Sequence, residues 1–504
     1  MSLVTAVGLL LGSASCLPDS ENTRNKDKAP PATQVDSSLT DASVDTGVRL
    51  PPGPSWGSLL VDYDLNGWPD LLINRHKRHP RLYRNNAGMF KIEGEPVLDT
   101  TAPGRQIYDR HGCAWGEANG DGRPDLYCAS GAQDGQGEGP NQLLLQTNSG
   151  FTYEAAEWNA QDKLGRGRSV HWLDYDSDGD LDIFVSNEVR AGHPNIMLRN
   201  DGDSFSSVDI GLSEEIATRS SSWSDWDNDG DPDILVLGHG FVGSRAFRNN
   251  DGTYEEVPFP AVTGEEWLSA SWGDFDLNGW NDVALVSETR LMILRNRSAS
   301  FSRMASFKLK AGRVAAWLDI ENDGDLDAYV VQGQVGDPPK PGAINHVDFL
   351  LINDEGKFRP DRRTEFRGPT KGNGDSVAVS DINRDGSVDV HVTEGYLDLF
   401  GSSRLLLNRF KAANWIGVRL RGPDQNPLAI GARVTARTSD RRYQLSLTDG
   451  VAFKSQSEIG YAHFGIGEAE VADVRVEWPD GSVSCESVAA DGVVTLSFDS
   501  SGCS

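Results

Sequence analysis

The chain contains 504 residues, more than one ordinary hydrophobic core needs, so its length predicts at least two domains. Acidic residues outnumber basic residues by 75 to 47, which gives a formal net charge of -28 at pH 7. Much of this negative charge lies in one repeated acidic motif, so the composition favours cation binding and excludes direct binding of nucleic acid.

The N-terminal segment is typical of an export signal. An apolar run over residues 3–11 precedes small residues that lead to Cys16, and this run is too short to span a membrane as a mature helix. A cysteine in this position resembles the lipid-modified residue of bacterial lipoproteins, and the alternative is an ordinary signal-peptide cleavage near Ala14. We therefore expect a signal peptide over residues 1–16 and an exported protein. It would be an outer-membrane or cell-surface lipoprotein, or a secreted or periplasmic protein.

Residues 17–45 form a polar segment. They are rich in Asp, Ser, Thr, Pro and Lys and contain almost no large apolar side chains, so they cannot bury enough surface to fold alone. We expect a disordered tether, with membrane contact only through a lipid on Cys16.

Between residues 46 and 410 the chain repeats the acidic motif Asp-x-Asp-x-Asp-Gly-x-x-Asp seven times, at intervals of roughly 50 residues. Side-chain oxygens at positions 1, 3, 5 and 9 and the main-chain carbonyl at position 7 would supply most of the about six to eight oxygen ligands that Ca²⁺ prefers. Glycine at position 6 allows the positive φ that folds such a loop back on itself. We expect up to seven Ca²⁺ ions. The predicted ligands, loop by loop, are Asp62, Asp64, Asn66, Trp68 and Asp70; Glu117, Asn119, Asp121, Arg123 and Asp125; Asp174, Asp176, Asp178, Asp180 and Asp182; Asp225, Asp227, Asp229, Asp231 and Asp233; Asp274, Asp276, Asn278, Trp280 and Asp282; Asp319, Glu321, Asp323, Asp325 and Asp327; and Asp381, Asn383, Asp385, Ser387 and Asp389.

The segments around each acidic loop predict strands. Each loop leads into a short apolar or β-branched stretch such as Ile183–Val185, then a second apolar stretch, then a turn followed by an aromatic residue. An EF-hand would instead need helices and a glutamate at position 12. The repeated order of strand, acidic loop, strand, variable loop, strand, turn and strand predicts a seven-bladed β-propeller.

These units resemble FG-GAP/VCBS repeats, the propeller repeats also found in integrin α-chains. The resemblance covers roughly residues 51–410, and every unit carries the same strand, acidic loop and strand. It implies an all-β fold, calcium binding and an extracellular location.

The seventh repeat lacks a fourth strand in chain order. After Arg404–Asn408 the chain passes directly into a different pattern, and an open ring would leave an unpaired strand edge. We expect the segment before the first blade to supply the missing strand, with Val44–Pro51 as the candidate.

Five cysteines leave one without a partner. With Cys16 set aside, Cys113 could pair with Cys128 across the second acidic loop, and Cys485 with Cys503 near the C-terminus. Free buried thiols are the alternative. Disulfides would agree with export to an oxidising compartment.

Other aromatic and basic residues are weaker functional candidates. Five tryptophans lie two residues before the first predicted ligand, which favours packing between blades over stacking on carbohydrate. Five histidines are scattered over different blades without a metal-binding spacing, and the basic run Arg75–His79 is expected to be a solvated loop. The best candidates for any ligand site are the long loops at 131–141, 187–195, 332–346 and 394–403. The tryptophans are Trp115, Trp172, Trp223, Trp272 and Trp317, and the histidines are His111, His171, His239, His346 and His391.

From residue 411 to residue 504 the acidic motif stops and alternating apolar residues predict a small all-β sandwich or barrel. Segments such as Asn414–Leu420, His463–Gly467 and Val474–Gly481 follow the order found in the ASPIC/UnbV domain, which they closely resemble. This resemblance again implies an exported calcium-binding protein, and it supplies no established reaction.

The sequence favours a calcium-stabilised propeller that acts as an adhesion or interaction module at the cell surface, with an unidentified protein or glycan as its partner. The alternative is an exported carbohydrate-active enzyme of the lyase or dehydratase type, with a base and a metal in the long loops. No nucleophile motif, zinc signature or phosphate loop stands out, so we predict no catalytic residue and no organic cofactor. Whether the protein is an enzyme stays open at this stage, with a binding role favoured.

Overall fold

The computed structural model shows the protein as strands joined by turns, with residues Ser37–Ser504 forming one compact unit. The predicted signal peptide, Cys16 and most of the predicted tether lie outside the described residues. The structure describes residues 39–48, 55–93, 98, 109–131, 139–188, 193–212, 217–239, 243–260, 264–333, 347–366, 374–394, 403–409, 413–447, 454–499 and 502–503.

Seven four-stranded antiparallel sheets follow one another along the chain. In each sheet the first strand contacts the first strand of the next sheet, and that of the seventh contacts that of the first, so the ring closes. The seven-bladed propeller is therefore confirmed. Blade 1 consists of β2 (Gly57–Val61), β3 (Asp70–Asn74), β4 (Arg81–Asn86) and β5 (Met89–Ile92); blade 2 of β6 (Arg110–Gly116), β7 (Asp125–Ser130), β8 (Gln142–Thr147) and β9 (Gly150–Tyr153); blade 3 of β10 (Gly167–Leu173), β11 (Asp182–Asn187), β12 (Ile196–Asn200) and β13 (Phe205–Val208); blade 4 of β14 (Thr218–Ser224), β15 (Asp233–Gly238), β16 (Arg245–Asn250) and β17 (Thr253–Val257); blade 5 of β18 (Trp267–Gly273), β19 (Asp282–Ser287), β20 (Arg290–Arg297) and β21 (Ser300–Lys308); blade 6 of β22 (Gly312–Leu318), β23 (Asp327–Gln332), β24 (Asp348–Ile352) and β25 (Arg359–Phe366); and blade 7 of β26 (Gly374–Ser380), β27 (Asp389–Glu394), β28 (Arg404–Asn408) and β1 (Leu39–Asp41).

The N-terminal segment closes the ring, as predicted, but not at the predicted position. Strand β1 pairs antiparallel with β28, with Leu39 opposite Asn408 and Asp41 opposite Leu406. The candidate Val44–Pro51 is wrong, because the chain turns after β1 and Gly47 has a positive φ of 89°. The Phe90 N–H donates to the Thr46 carbonyl at 2.7 Å, so this turn joins blade 7 to the outer strand of blade 1. The propeller thus begins before residue 46, and residues 39–41 of the predicted tether belong to it.

Apolar side chains fill the spaces between adjacent blades. The five repeated tryptophans contribute to these clusters, and four of them are buried. The Trp172 indole N–H donates to the Ala114 carbonyl of blade 2 at 3.1 Å, and the Trp317 indole N–H to the Ser271 carbonyl of blade 5 at 3.0 Å. Their predicted role in packing between blades is confirmed.

Both predicted disulfides are present. Cys113 and Cys128 lie opposite each other on β6 and β7, and their Cα atoms are 4.1 Å apart. Cys485 bonds to Cys503 near the C-terminus.

The C-terminal segment contains two further sheets. One has the order β32-β29-β35, in which β29 and β35 run parallel, and the other has the order β31-β30-β33-β34. Apolar residues from both sheets, including Ile416, Val418, Val434 and Val476, form one buried cluster. The strands are β29 (Asn414–Arg421), β30 (Arg433–Arg437), β31 (Arg442–Ser446), β32 (Tyr461–Gly467), β33 (Val471–Glu477), β34 (Val483–Ala489) and β35 (Gly492–Ser497).

Candidate metal centres

Each acidic loop connects the first and second strands of its blade, and all seven share one backbone shape. The glycine at position 6 has a positive φ in every copy, from 76° at Gly122 to 107° at Gly230. Position 4 is also left-handed in every copy, for example at Leu65 and Ser177. In six loops the aspartate at position 1 accepts the N–H of this glycine, as Asp174 does from Gly179 at 3.0 Å. The motif therefore gives all seven loops the same turn.

In four loops three carboxylates lie close together, from positions 1, 3 and 9 in blades 1, 3 and 5 and from positions 1, 3 and 5 in blade 4. One oxygen from each of the three residues lies within 4.8 Å of the other two, and these loops belong to blades 1, 3, 4 and 5. In the loops of blades 2, 6 and 7, the described Asp, Glu, His and Cys residues form no such group. The three carboxylates are Asp62, Asp64 and Asp70 in blade 1; Asp174, Asp176 and Asp182 in blade 3; Asp225, Asp227 and Asp229 in blade 4; and Asp274, Asp276 and Asp282 in blade 5.

The electrostatics of these groups are unfavourable without a cation. Burial and the neighbouring carboxylates raise the pKa of Asp174 to about 6 and that of Asp182 to about 8. Asp62 Oδ1, Asp227 Oδ1 and Asp276 Oδ1 are buried without a hydrogen-bond partner among the described residues. An all-oxygen donor set with excess negative charge suits a hard divalent cation such as Ca²⁺. The residues present therefore fit the ion that the motif predicts.

The aspartate at position 9, predicted only as a metal ligand, also makes structural hydrogen bonds. In all seven loops it is fully buried. Its two oxygens accept main-chain N–H groups from position 2 of its own loop and from the third strand of its blade or the residue directly after that strand. For Asp70 these donors are Tyr63 at 3.2 Å and Asn85 at 2.6 Å. Position 9 thus holds the loop to the blade, and any bound ion would share oxygens that the backbone already engages.

In five of the seven blades an asparagine on the third strand, or directly after it, bonds to the loop of the neighbouring blade. Its side-chain amide donates to the position 2 carbonyl in the loop of the preceding blade, at 2.7–3.0 Å. In the sequence, this residue is recognisable in most repeats as an asparagine shortly before the turn between the third and fourth strands. The pairs are Asn85 with Ile382, Asn200 with Ala118, Asn296 with Trp226, Asn353 with Phe275 and Asn408 with Ile320.

The C-terminal sheets dock on the face of the propeller that carries the acidic loops. Arginines and a histidine make most of the polar contacts, which agrees with the negative charge of this face. Gly179 of the blade 3 loop, by contrast, has open space beside it. The contacts are Arg419 with the Gly67 carbonyl (2.8 Å), Arg421 with the Leu65 carbonyl (3.2 Å), Arg441 with the Asp323 carbonyl (2.8 Å), His463 with the Asn322 side chain (2.9 Å) and Gln444 with the Gly279 carbonyl (3.3 Å), together with an ion pair between Arg433 and Asp225.

The segment 454–458 of the C-terminal domain inserts among the first strands of the ring. The Leu60 N–H donates to the Gln456 carbonyl and the Gln456 N–H donates to the Ser58 carbonyl, both at 2.9 Å. The Gln456 side chain accepts the Trp115 N–H at 3.0 Å, while Ser455 accepts the Val377 N–H at 3.1 Å. This segment, which we call the inserted segment, therefore bonds to the first strands of blades 7, 1 and 2.

Two expectations about basic residues need correction. Arg75 and His76 are buried, so the run Arg75–His79 is not simply a solvated loop. His76 and His111 also lie together at Asp109, although their spacing in the sequence is not that of a known metal-binding motif. The position of His346 and most of the long loops at 131–141, 187–195, 332–346 and 394–403 lie outside the described residues.

Together these features define a seven-bladed propeller of acidic-loop repeats with a C-terminal β domain. Comparison with known families gives the same result: the FG-GAP-like repeat matches residues 62–128, 118–185, 225–285 and 274–330, and the ASPIC and UnbV family matches residues 422–501. The chain therefore carries FG-GAP-like repeats followed by an ASPIC/UnbV domain.

Relatives resemble the chain over most of its length. Mouse cartilage acidic protein 1 is 22% identical over 522 residues, which cover 92% of this chain and 76% of the relative. Among solved structures, an Agrocybe aegerita lectin that recognises non-reducing terminal N-acetylglucosamine is 15% identical, with a TM-score of 0.44, over 68% of this chain and 88% of its own. YCF48 from Cyanidioschyzon merolae is 10% identical, with a TM-score of 0.42, over 72% and 97%.

The two disulfides and the similarity to cartilage acidic protein 1 indicate an extracellular protein. Among the described residues, no helix is long and apolar enough to cross a membrane.

Proposed function

We propose that this protein is an exported, calcium-stabilised propeller that binds a protein or glycan partner at the cell surface. The observation that carries the calcium part is the convergence of three carboxylates within 4.8 Å in each of four loops. Like charges held this close would repel strongly, and a bound divalent cation would reverse that repulsion. The positions predicted as ligands in all seven loops remain part of this proposal.

The arrangement of the domains supports a binding role on one particular face. The C-terminal domain covers much of the acidic-loop face and fills part of the ring with its inserted segment. The face left for a partner is the opposite one, where the second strand of each blade ends and the variable loops begin. The partner surface therefore lies away from the calcium loops, and calcium would act by holding the scaffold rigid.

The test has two parts. Metal analysis of the purified chain after dialysis against calcium should find at least four equivalents, and fewer than one would overturn the calcium proposal. Protein and glycan arrays probed with the full chain in calcium should then reveal a partner. Charge-reversing substitution of the exposed Lys77 and Arg78 on the variable-loop face should weaken its binding, whereas substitution of the exposed Glu470 in the C-terminal domain should not. If the Lys77, Arg78 and Glu470 variants all bind the partner equally well, the assignment of the partner surface to the variable-loop face is overturned.

One observation favours the alternative of an exported carbohydrate-active enzyme. His76, Asp109 and His111 meet at the end of the blades away from the acidic loops, which supplies the kind of base and metal ligand that such an enzyme would need. A screen of acidic and neutral polysaccharides for release of unsaturated or reducing ends tests this function directly. A lack of turnover on every polysaccharide would leave the binding module as the function.

A further inference from the structure

Two histidines and one aspartate from blades 1 and 2 meet near the entrance to the ring opposite the acidic loops. His76 follows β3 of blade 1, and Asp109 and His111 lie at the start of β6 in blade 2. His76 Nε2 lies 2.6 Å and His111 Nε2 lies 3.4 Å from Asp109 Oδ1. Only 6%, 11% and 3% of the His76, Asp109 and His111 side chains, respectively, is exposed, so this group is shielded from bulk water.

We propose that His76, Asp109 and His111 form a binding site for one divalent transition-metal ion of the Zn²⁺ class, separate from the acidic loops. Two imidazole nitrogens and one carboxylate are a donor set suited to Zn²⁺, Co²⁺ and Fe²⁺, and they differ in kind from the all-oxygen loops. Potential ligand atoms of the three residues lie within 4.8 Å of one another. Small side-chain shifts would bring them within the span of about 4.4 Å or less that one ion at about 2.0–2.2 Å from each ligand allows. Three protein ligands would leave a coordination position open for water or a ligand.

The surroundings hold these rings in ligand orientation. The indole of Trp56 stacks on His76, with ring centroids 3.8 Å apart and planes inclined by 6°. His111 Nδ1 lies 2.9 Å from the Gly167 carbonyl of blade 3, so an Nδ1–H donated there would leave the Nε2 lone pair directed at Asp109. A backbone carbonyl on the second ring nitrogen is the usual support of a metal-bound histidine.

The aspartate also has an oxygen available for an ion. Asp109 Oδ1 is approached by both histidines, whereas Oδ2 is buried without a hydrogen-bond partner among the described residues. A buried carboxylate oxygen without a partner is unfavourable, and coordination to a metal would satisfy it.

Two cations lie nearby, and each pairs with a carboxylate, although Glu188 is shared between Arg168 and Arg166. Arg168 reaches His111 Nδ1 with its Nη1 at 2.5 Å, and its Nε donates to Glu188 at 2.7 Å. Lys454 of the inserted segment lies 4.1 Å from the centre of the Trp56 ring and 3.3 Å from Asp375.

The alternative to metal binding is a hydrogen-bonded network without metal, in which Arg168 donates to His111 Nδ1 and the Nε2–H of His111 donates to Asp109.

The experiment separates these arrangements. The full chain is kept in calcium throughout, stripped of transition metals with 1,10-phenanthroline, which binds calcium poorly, and then titrated with Co²⁺ while its visible absorption is recorded. We expect one equivalent of Co²⁺ to bind and to show the visible absorption of a cobalt ion bound by nitrogen and oxygen ligands. Added Zn²⁺ should displace the Co²⁺. Asp109→Asn and His76→Gln should each weaken Co²⁺ binding by about tenfold or more.

The matched control is His239→Gln, which changes a partly exposed histidine on the same side of the propeller that contacts Glu266 rather than the triad. It should bind Co²⁺ like the unmodified chain. Melting curves in calcium show whether each variant is folded, and the conservative Asp109→Asn keeps the test decisive if His76→Gln unfolds. The proposal is overturned if the unmodified chain takes up no Co²⁺ at micromolar concentration, or if Asp109→Asn and the control bind it equally.

Discussion

Removal of calcium should destabilise the propeller by an amount that the four converged loops allow us to estimate. If each site has a dissociation constant of about 10⁻⁴ M, then about 1 mM free Ca²⁺ contributes about 1.4 kcal/mol per site. The loops of blades 1, 3, 4 and 5 together would contribute about 6 kcal/mol, which is comparable with the free energy of unfolding of a whole domain. The propeller spans residues 39–408. With about 2 cal/mol/K of unfolding entropy per residue, that free energy corresponds to a fall in its Tm of about 8 °C.

The assay is a pair of melting curves, one in calcium and one after exchange into a calcium chelator, followed by readdition of calcium. Readdition should restore the higher Tm, and magnesium at the same concentration should restore less of it, because Mg²⁺ demands stricter geometry and dehydrates reluctantly. Coincident curves with and without chelator would refute the argument that these carboxylates need a cation.

Three further predictions follow from individual contacts. Asn353→Ala removes the amide that donates to the Phe275 and Leu326 carbonyls, so it should lower the free energy of unfolding by about 1–3 kcal/mol in denaturant titrations; a loss no larger than that of Asn148→Ala, which changes an exposed asparagine outside the acidic loops, would contradict this structural role. Deletion of residues 39–41 should lower the Tm of the whole propeller, because it exposes the edge of β28, whereas deletion of residues 17–35 should leave it unchanged; equal effects would contradict closure by β1. Burial raises the pKa of Asp348 to about 7 from 3.8, so the folded state retains a proton that the unfolded state has lost; stability from this group is present below about pH 4 and falls as the pH rises to about 7. In saturating calcium, the difference in Tm between the unmodified chain and Asp348→Asn should change in that window and not above it.

The repeated motif predicted the fold because it recurs in register with strand patterns, so each copy reinforces the others. It could not locate β1, since a three-residue strand such as Leu39–Asp41 carries too little pattern to stand out from a polar segment. The position 9 aspartates illustrate another limit. Their ligand spacing was visible in the sequence, but their bonds to the third strand depend on pairing across the blade.

The meeting of His76 with Asp109 and His111 could not be predicted either. These residues are separated in sequence and come from two blades, and the packing of blade 2 against blade 1 brings the end of β3 beside the start of β6. The docking of the C-terminal domain on the acidic loops was hidden for the same reason. Its arginines Arg419 and Arg433 belong to ordinary strand patterns, and only their partners Gly67 and Asp225 show which face they cover.

Because the C-terminal domain binds the loops themselves, calcium binding and docking should be coupled, and the coupling should depend on the loop. Arg419 and Arg421 bond to the Gly67 and Leu65 carbonyls of the blade 1 loop, whose shape would follow its ion. The blade 3 loop, by contrast, has open space at Gly179. Asp64→Ala should therefore speed hydrogen exchange at the Gln456 amide, whereas Asp176→Ala should remove one calcium equivalent without that effect.

Both variants change position 3 of the motif and lose one carboxylate, so they form a matched pair. Hydrogen exchange followed by mass spectrometry of peptides that contain residues 454–460 measures the docking, and metal analysis measures the ion. Loss of the ion from the blade 1 loop should loosen the domain, and by reciprocity a weakened domain contact such as Arg419→Ala should weaken calcium binding at that loop. If the two aspartate variants exchange alike while each lacks one ion, the loops and the C-terminal domain are energetically independent, and the contacts of Arg419 and Arg421 carry no coupling.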